Sequence, residues 1–364
     1  MTLQRIEQMR ADGSLRHLVT LETLDRALVE KLLDRAQQRV RAVGDPAYRS
    51  DSLRGVTVAN LFGEASTRTR TSFELAATRL GAQVVNLEVH LSSRTKGETI
   101  LDTVYTLQAM QLDVLVLREA EPNVPAFVAH HVAPHVSILS AGEANLSHPT
   151  QGLLDALTVR QRKGDLARLR IAIVGDIEHS RVARSAFQAF SILGAQDIRI
   201  VAPMPFMPAR GEFRGCSRHD SIDEAIRGAD VVMMLRIQKE RMAQANVPAA
   251  ADYFAQFGLS RKRLQLAAPE AIVMHPGPMN RGIEIEPEVA DGPQSVILQQ
   301  VTNGLAVRMA VLEEVTRRAA DEARQHSTAR PAVRSGAYST TGRPGKAKGS
   351  SAKKARGRAT MRRQ

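Results

Sequence analysis

Short apolar runs alternate with stretches of helical period along most of this chain. In the first half the runs at 57–62, 83–87, 113–117 and 136–140 have strand length. The stretches between them, at 69–80, 99–110 and 125–132, read as helices. In the second half the runs at 170–174, 197–201, 230–235 and 271–274 repeat the scheme, with helical patterns at 181–193 and 221–227. Strands interleaved with helices predict βαβ units and parallel sheets. The expected fold is therefore α/β, with two similar domains, each a parallel sheet flanked by helices, linked by interdomain helices. The joint falls on a predicted helix at about 149–162, which closes with Lys163-Gly164. This divides the chain into an N-terminal extension at 1–15, a first domain at 16–148 and a second at 149–300. A final helix at 301–325 carries Leu305, Met309 and Leu312 at helical spacing, a face that predicts packing back on the first domain. No repeat at solenoid periods is evident.

Composition changes this picture only at the C-terminus. The chain has 364 residues, 43% of them hydrophobic, ordinary for a globular protein of two domains. A formal charge of +12 would point to nucleic acid or a membrane surface if it were spread over the fold. Eleven of the Lys and Arg residues instead fall within 327–364, which has no acidic residue, so 1–326 carries 39 basic against 38 acidic side chains. That segment has little to bury and is predicted to be a disordered basic tail. No apolar run approaches the roughly 20 residues of a membrane helix. The N-terminal stretch, with Glu7 and Asp12, lacks the pattern of a signal peptide. A single cysteine, Cys216, excludes an intramolecular disulfide framework and a Cys-rich zinc site. The setting these features predict is cytoplasmic.

The segment Phe62-Gly63-Glu64-Ala65-Ser66-Thr67-Arg68-Thr69-Arg70 follows a predicted strand and opens a predicted helix. Free backbone N–H groups and the helix dipole favour an anion at such a junction, and hydroxyl and guanidinium groups add donors. This is the pattern of a phosphate site. Alone, it would also admit the less favoured reading of an ordinary helix cap beside a solvated charge run.

It is followed, in order, by Lys96-Gly97-Glu98-Thr99, Arg118, His148-Pro149-Thr150-Gln151, Arg181, Arg236-Ile237-Gln238-Lys239-Glu240-Arg241 and His275-Pro276-Gly277-Pro278. Together with Ser66-Thr67-Arg68-Thr69-Arg70, these segments resemble the aspartate/ornithine carbamoyltransferase family over about residues 16–316. The resemblance implies a carbamoyl-phosphate-binding first domain and an amino-acid-binding second domain, with no cofactor, metal or covalent enzyme intermediate. Ornithine members carry a His-Cys-Leu-Pro motif and an Asp-x-x-x-Ser-Met segment, and neither is found here. Arg236-x-Gln238, with Lys239, Glu240 and Arg241 behind it, resembles the aspartate-binding loop. A dicarboxylate asks for guanidinium partners where a diamino acid asks for carboxylates. The resemblance thus implies an enzyme of the aspartate branch, a catalytic chain making N-carbamoyl-L-aspartate and phosphate in pyrimidine (UMP) biosynthesis. The alternative is a carbamoyl transferase for another amine-bearing carboxylate.

Position by position, the resemblance assigns Ser66, Thr67, Arg68 and Thr69 to the phosphate of carbamoyl phosphate. It assigns Thr69, Arg118 and His148 to the carbamoyl oxygen, so that Arg68, Thr69, Arg118 and His148 form the catalytic set. Gln151 and the carbonyls of Gly277 and Pro278 would orient the carbamoyl and attacking nitrogens. Lys96, Arg181, Arg236 and Gln238 would hold aspartate. Glu64 would pair with Arg181 or Arg241 across the cleft and favour its closed form. Ser92 and Lys96 lie in a polar loop whose family counterpart reaches the neighbouring subunit's active site, which implies a homotrimer with shared sites. The segment 275–282 and the N-terminal extension resemble bacterial members that assemble with a dihydroorotase or a dihydroorotase-like chain.

Other features carry less. His130, His131 and His135 invite a metal reading, but no acidic or Cys ligand stands near them and Pro134 interrupts the helix, so no metal is assigned. Val174-Gly175-Asp176 begins like a dinucleotide fingerprint whose remaining glycines are missing. Cys216 has Arg214 and Arg218 nearby but no identifiable base. The tail offers electrostatic contact to nucleic acid, yet Tyr338 is its only aromatic for base stacking, and a solvated extension is the favoured reading.

Overall fold

The computed structural model describes residues 7–88, 97–238 and 249–317. Ser92, Lys96, Lys239, Glu240, Arg241 and the tail at 327–364 lie outside the described residues. The first sheet contains β1 (Thr57–Phe62), β2 (Gln83–Glu88), β3 (Val114–Glu119) and β4 (Ser137–Glu143) in the order β2-β1-β3-β4. The second contains β5 (Arg170–Val174), β6 (Asp197–Val201), β7 (Ser217–His219), β8 (Val231–Met234) and β9 (Ile272–Met274) in the order β7-β6-β5-β8-β9. Every pairing is parallel, with Thr57 opposite Gln83 in one sheet and Arg170 opposite Asp197 in the other. The two-domain α/β architecture expected from the apolar runs is the one observed.

Helix α1 (Arg26–Arg39) precedes the first sheet, and α2 (Thr67–Arg79), α3 (Ile100–Ala109) and α4 (Val124–His131) cross between its strands. Helix α5 (Pro149–Lys163) leads into the second sheet, which is accompanied by α6 (Arg181–Ile192), α7 (Ile222–Ala225), α8 (Ala250–Phe257) and α9 (Arg261–Leu264). Helices α10 (Pro287–Ala290) and α11 (Ile297–Val315) follow. The apolar runs do not announce α1, β7 or α8 to α10. Strand β7, for example, reads Ser-Arg-His and lies at a sheet edge, with no apolar residue to reveal it.

Alternation along the strands divides the interior of the first sheet. Val58, Phe62, Val114, Val116 and Leu139 join the larger core shared with α1, α2 and α11. Ala59, Leu61, Leu115, Leu117 and Ile138 join a smaller core with Val104 of α3 and Val128 of α4. Helix α5 is buried continuously from Pro149 to Val159 and packs against α1, α6 and α11. Proline at its first position has no N–H to lose, and Gly164 ends it at a φ of +76°. Its approach to α6 requires Gly152, where a Cβ would lie 2.3 Å from the Ser185 carbonyl oxygen.

Helix α11 packs on α1, α2 and α5. It starts a turn earlier than the apolar period predicts, because its first turns bury the polar side chains of Gln300 and Asn303. Asn303 Nδ2 donates to Thr158 Oγ1 of α5 at 2.8 Å. The far end of α11 is joined to α1 by ion pairs, Lys31–Glu314 at 2.7 Å, Arg35–Glu314 and Arg39–Glu313. Arg10, near the chain start, donates to the Val315 carbonyl oxygen at 2.7 Å. Among the described residues no helix is long and apolar enough to cross a membrane. In each sheet the strand order reverses once, between β1 and β3 and between β5 and β8, leaving a crevice at the carboxyl ends of those strands.

Candidate active site

In the first crevice, β1 leads through Gly63 to Ser66 and into α2. Gly63 lies close to Glu119 at the end of β3: a Cβ there would be 2.7 Å from Glu119 Oε2, so a larger residue would have to displace that carboxylate. Ser66 occupies the N-cap position without bonding its side chain to the helix, so its hydroxyl is not consumed at the positive end of α2. Arg68 extends toward Gly277: with φ at +64°, a Cβ on that glycine would sit 3.5 Å from Arg68 Cζ. Desolvation first, and then Arg236, lower the Arg68 pKa from its ordinary value. Arg118, near the end of β3, donates through Nη1 to the Ala141 carbonyl oxygen at 3.1 Å, and its Nη2 lies 3.1 Å from Glu64 Oε2.

Helix α5 delivers two more groups. The His148 backbone N–H donates to Ser185 Oγ at 2.8 Å, and its ring is buried with Nδ1 unpartnered among the described residues. Burial first, then Arg181, Arg118 and Arg308, hold this histidine well below its usual pKa, so the imidazole is neutral near pH 7. A neutral imidazole can donate to a developing oxyanion without surrendering its proton. One turn along, Gln151 Nε2 donates to Asp155 Oδ1 at 3.0 Å. Burial pushes the Asp155 carboxyl up to about 7 and the Arg308 guanidinium down to about 10. Arg308 stacks 5.1 Å over the Phe73 ring.

In the second crevice, Gly175 ends β5 where a Cβ would lie 2.7 Å from the Leu235 carbonyl oxygen. Buried Asp176 accepts the His179 N–H at 3.1 Å, lies 2.8 Å from His179 Nδ1, and accepts the Gln238 N–H at 3.3 Å through its other oxygen. Gln238 Nε2 in turn donates to the His179 carbonyl oxygen at 2.9 Å. Asp176 thereby ties the loop after β5 to the loop after β8. Arg181 heads α6, behind a Ser180 cap; it donates to the Ala144 carbonyl oxygen at 3.1 Å and to Glu64 Oε2 at 2.9 Å. Arg118 and Arg181 meet over Gly142, where a Cβ would lie 3.0 Å from both. Of the two partners expected for Glu64, Arg181 is engaged, while Arg241 lies outside the described residues.

A third loop follows β9. His275 Nδ1 accepts the Gly277 N–H at 2.8 Å, so Nε2 carries the proton and faces Glu284 Oε1 at 3.2 Å, both side chains being buried. This holds Gly277 and Pro278 toward the crevices.

Side chains from all three loops and from the start of α2 border one cavity of about 900 Å³. Ser66, Thr67, Arg68, Thr69, Arg118, His148, Gln151, Arg181, Arg236, Gln238, Gly277 and Pro278 line it together, although they come from six separate stretches of chain. Glu64 is the only carboxylate among its described lining residues, and it is engaged with two arginines. With Arg68, Arg118, Arg181, Arg236 and Arg308 around the same space, the cavity suits strongly anionic ligands. Gln300, Gly304 and Arg308 of α11 also line it. Their spacing of four puts them on one face of α11, although among its other polar residues nothing local marks that face.

The minor features resolve otherwise. His131 Nδ1 bonds the Phe127 carbonyl oxygen at 2.8 Å and its ring lies 4.5 Å from that of Phe127. No group of three or more His, Cys, Asp or Glu residues able to hold a metal is found among the described residues. Partial burial pushes the Cys216 thiol up.

Comparison with known proteins matches residues 16–161 to the carbamoyl-P binding domain of aspartate/ornithine carbamoyltransferase and residues 167–315 to its Asp/Orn binding domain. Among solved structures, aspartate transcarbamoylase from Trypanosoma cruzi in complex with carbamoyl phosphate is 32% identical. The match covers 82% of this chain and 95% of that one, with a TM-score of 0.73. The same protein in complex with carbamoyl phosphate and aspartate matches at 30% identity over 86% and 99%, with a TM-score of 0.74. Ornithine carbamoyltransferase from Thermus thermophilus matches at 26% identity over 82% and 98%, with a TM-score of 0.73.

Proposed function

The chain belongs to the aspartate/ornithine carbamoyltransferase family, and from that membership we propose that it carbamoylates L-aspartate, giving N-carbamoyl-L-aspartate and phosphate for pyrimidine biosynthesis. The observation that carries the choice of acceptor is the charge of the cavity. Its amino-acid side offers Arg181 and Arg236, and its one described carboxylate, Glu64, is already paired. A dicarboxylate finds guanidinium partners there, whereas among the described lining residues the second ammonium of ornithine meets no carboxylate other than Glu64, which two arginines already engage.

In the proposed reaction Ser66, Thr67, Arg68 and Thr69 hold the phosphate at the α2 N-terminus. Thr69, Arg118 and neutral His148 donate to the carbamoyl oxygen as the aspartate amine attacks the carbonyl carbon. Collapse of the tetrahedral species breaks the bond from carbon to the phosphate oxygen, and the departing phosphate takes the amine proton. Gln151 and the Gly277 and Pro278 carbonyls align the two nitrogens, while Arg181, Arg236, Gln238 and Lys96 hold the aspartate carboxylates. Ser92 and Lys96 act in the neighbouring copy's site, so the working unit is a cytoplasmic homotrimer, which assembles further with a dihydroorotase-type chain.

The test compares L-aspartate and L-ornithine as acceptors for the purified chain at saturating carbamoyl phosphate, reading carbamoyl product and phosphate release. Product with aspartate alone is expected. Product with ornithine alone overturns the acceptor assignment, and activity that appears only after a dihydroorotase-type chain is added makes that partner obligatory.

A further inference from the structure

The mechanism above uses Gln151 but not the residue that orients it. Asp155 lies one turn further along α5, fully buried, and its Oδ1 accepts from Gln151 Nε2 at 3.0 Å and from Gln300 Nε2 of α11 at 2.8 Å. An accepting carboxylate oxygen selects the NH2 end of an amide, so Asp155 decides which way both amides face. For Gln151 this leaves Oε1 as the end free for the cavity it lines. For Gln300 it leaves Oε1 to accept the His275 N–H at 2.9 Å, at the start of the turn that carries Gly277 and Pro278.

We propose that Asp155 is a positioning residue that presents two sets of acceptors to the carbamoyl NH2: the Gln151 oxygen directly, and the Gly277 and Pro278 carbonyls through Gln300 and His275. The proposal rests on carbamoyl phosphate being the donor. Its consequence is selective. Inorganic phosphate has no NH2 group, and its binding groups at the start of α2 do not touch Asp155, so only ligands with an amide should sense the network.

The experiment titrates the full chain calorimetrically with phosphonoacetamide, a stable probe carrying both an anionic phosphorus group and an amide, and separately with inorganic phosphate. Asp155→Leu is expected to weaken phosphonoacetamide about tenfold, the loss of one buried hydrogen-bond network, and to leave phosphate within about twofold. Asp155→Asn, which keeps an acceptor oxygen, should stay within about threefold of wild type for both. Adding Asp155→Leu to Gln151→Ala should cost less than it does alone, because the two act through a shared contact. Gln300→Leu, read the same way, should also lose the amide ligand selectively, and it carries the test if Asp155→Leu does not fold.

Equal loss of both ligands, no loss of phosphonoacetamide, or full additivity with Gln151→Ala overturns the positioning role. A wild-type chain that forms no carbamoyl product fails the functional reading instead, and the acceptor assay registers that outcome separately.

Discussion

The crevice between β1 and β3 takes most of its groups from one continuous stretch, Glu64 to Thr69, whereas the crevice between β5 and β8 is assembled from Arg181, from Arg236 and Gln238, and from the turn after β9. In the proposed reaction the first meets its ligand with hydroxyls and the end of a helix, and so recognises a type of anion by backbone geometry. The second depends on the sign and reach of individual side chains, held in place by Asp176 and Glu64. Acceptor choice can therefore change at the second crevice without disturbing the first.

The largest effect that probes this division is at Arg118. Arg118→Ala should lower kcat by about 10² to 10³-fold, as expected for loss of an oxyanion donor, whichever acceptor is supplied; a loss confined to one acceptor in steady-state kinetics would break the division. Arg236→Ala should raise the aspartate KM by roughly 10 to 100-fold, the worth of a charge-assisted contact, while phosphate affinity measured by calorimetry stays unchanged. Glu64 bridges Arg118 and Arg181 and so spans both crevices. Glu64→Gln should raise the aspartate requirement by about tenfold and the carbamoyl phosphate requirement by less, and equal shifts in the two saturation curves would remove its closing role.

A last effect, on stability rather than on catalysis, lies at the seam between the crevices. Burial raises the Asp155 carboxyl from the ordinary range to about 7, so folding takes up a proton between pH 4 and 7. The stability this group contributes is complete below its unfolded pKa and is lost as pH rises through about 7. Wild type should therefore gain on Asp155→Asn as pH is lowered, by at most about 1.4 kcal/mol per pH unit. Urea unfolding of both proteins at pH 5, 6, 7 and 8 measures the gap; a flat difference would contradict it.

The contiguous crevice was the easier one to find in the sequence. Ser66 to Thr69 stand together after an apolar run, and strands β1, β5 and β6 fall where the mainly apolar runs place them. Helix α1 was hidden in plain view: Leu28, Val29, Leu32, Leu33 and Ala36 form a buried face, but Arg26, Glu30, Lys31, Asp34 and Arg35 break the run on the outside. Asp155 and Arg308 were beyond reach for a different reason. Each reads locally as an ordinary helix charge, and burial is imposed by contact between α5 and α11, whose partners Asp155 and Gln300 lie 145 residues apart. Gln238 illustrates the middle ground, since its motif marked it while its tie to Asp176 came only with the sheet.

The path of α11 has a consequence for the order in which this protein can be made. The helix closes the first domain's core over α1 and α2, and its end is bonded to Lys31, Arg35 and Arg39, yet it is the last described helix to leave the ribosome. The N-terminal half must wait through synthesis of the whole second sheet with its α11-facing surface uncovered. Completion of the first domain thus comes late in synthesis although most of its sequence comes first, and a nascent chain stopped before Ile297 would present that apolar surface to chaperones.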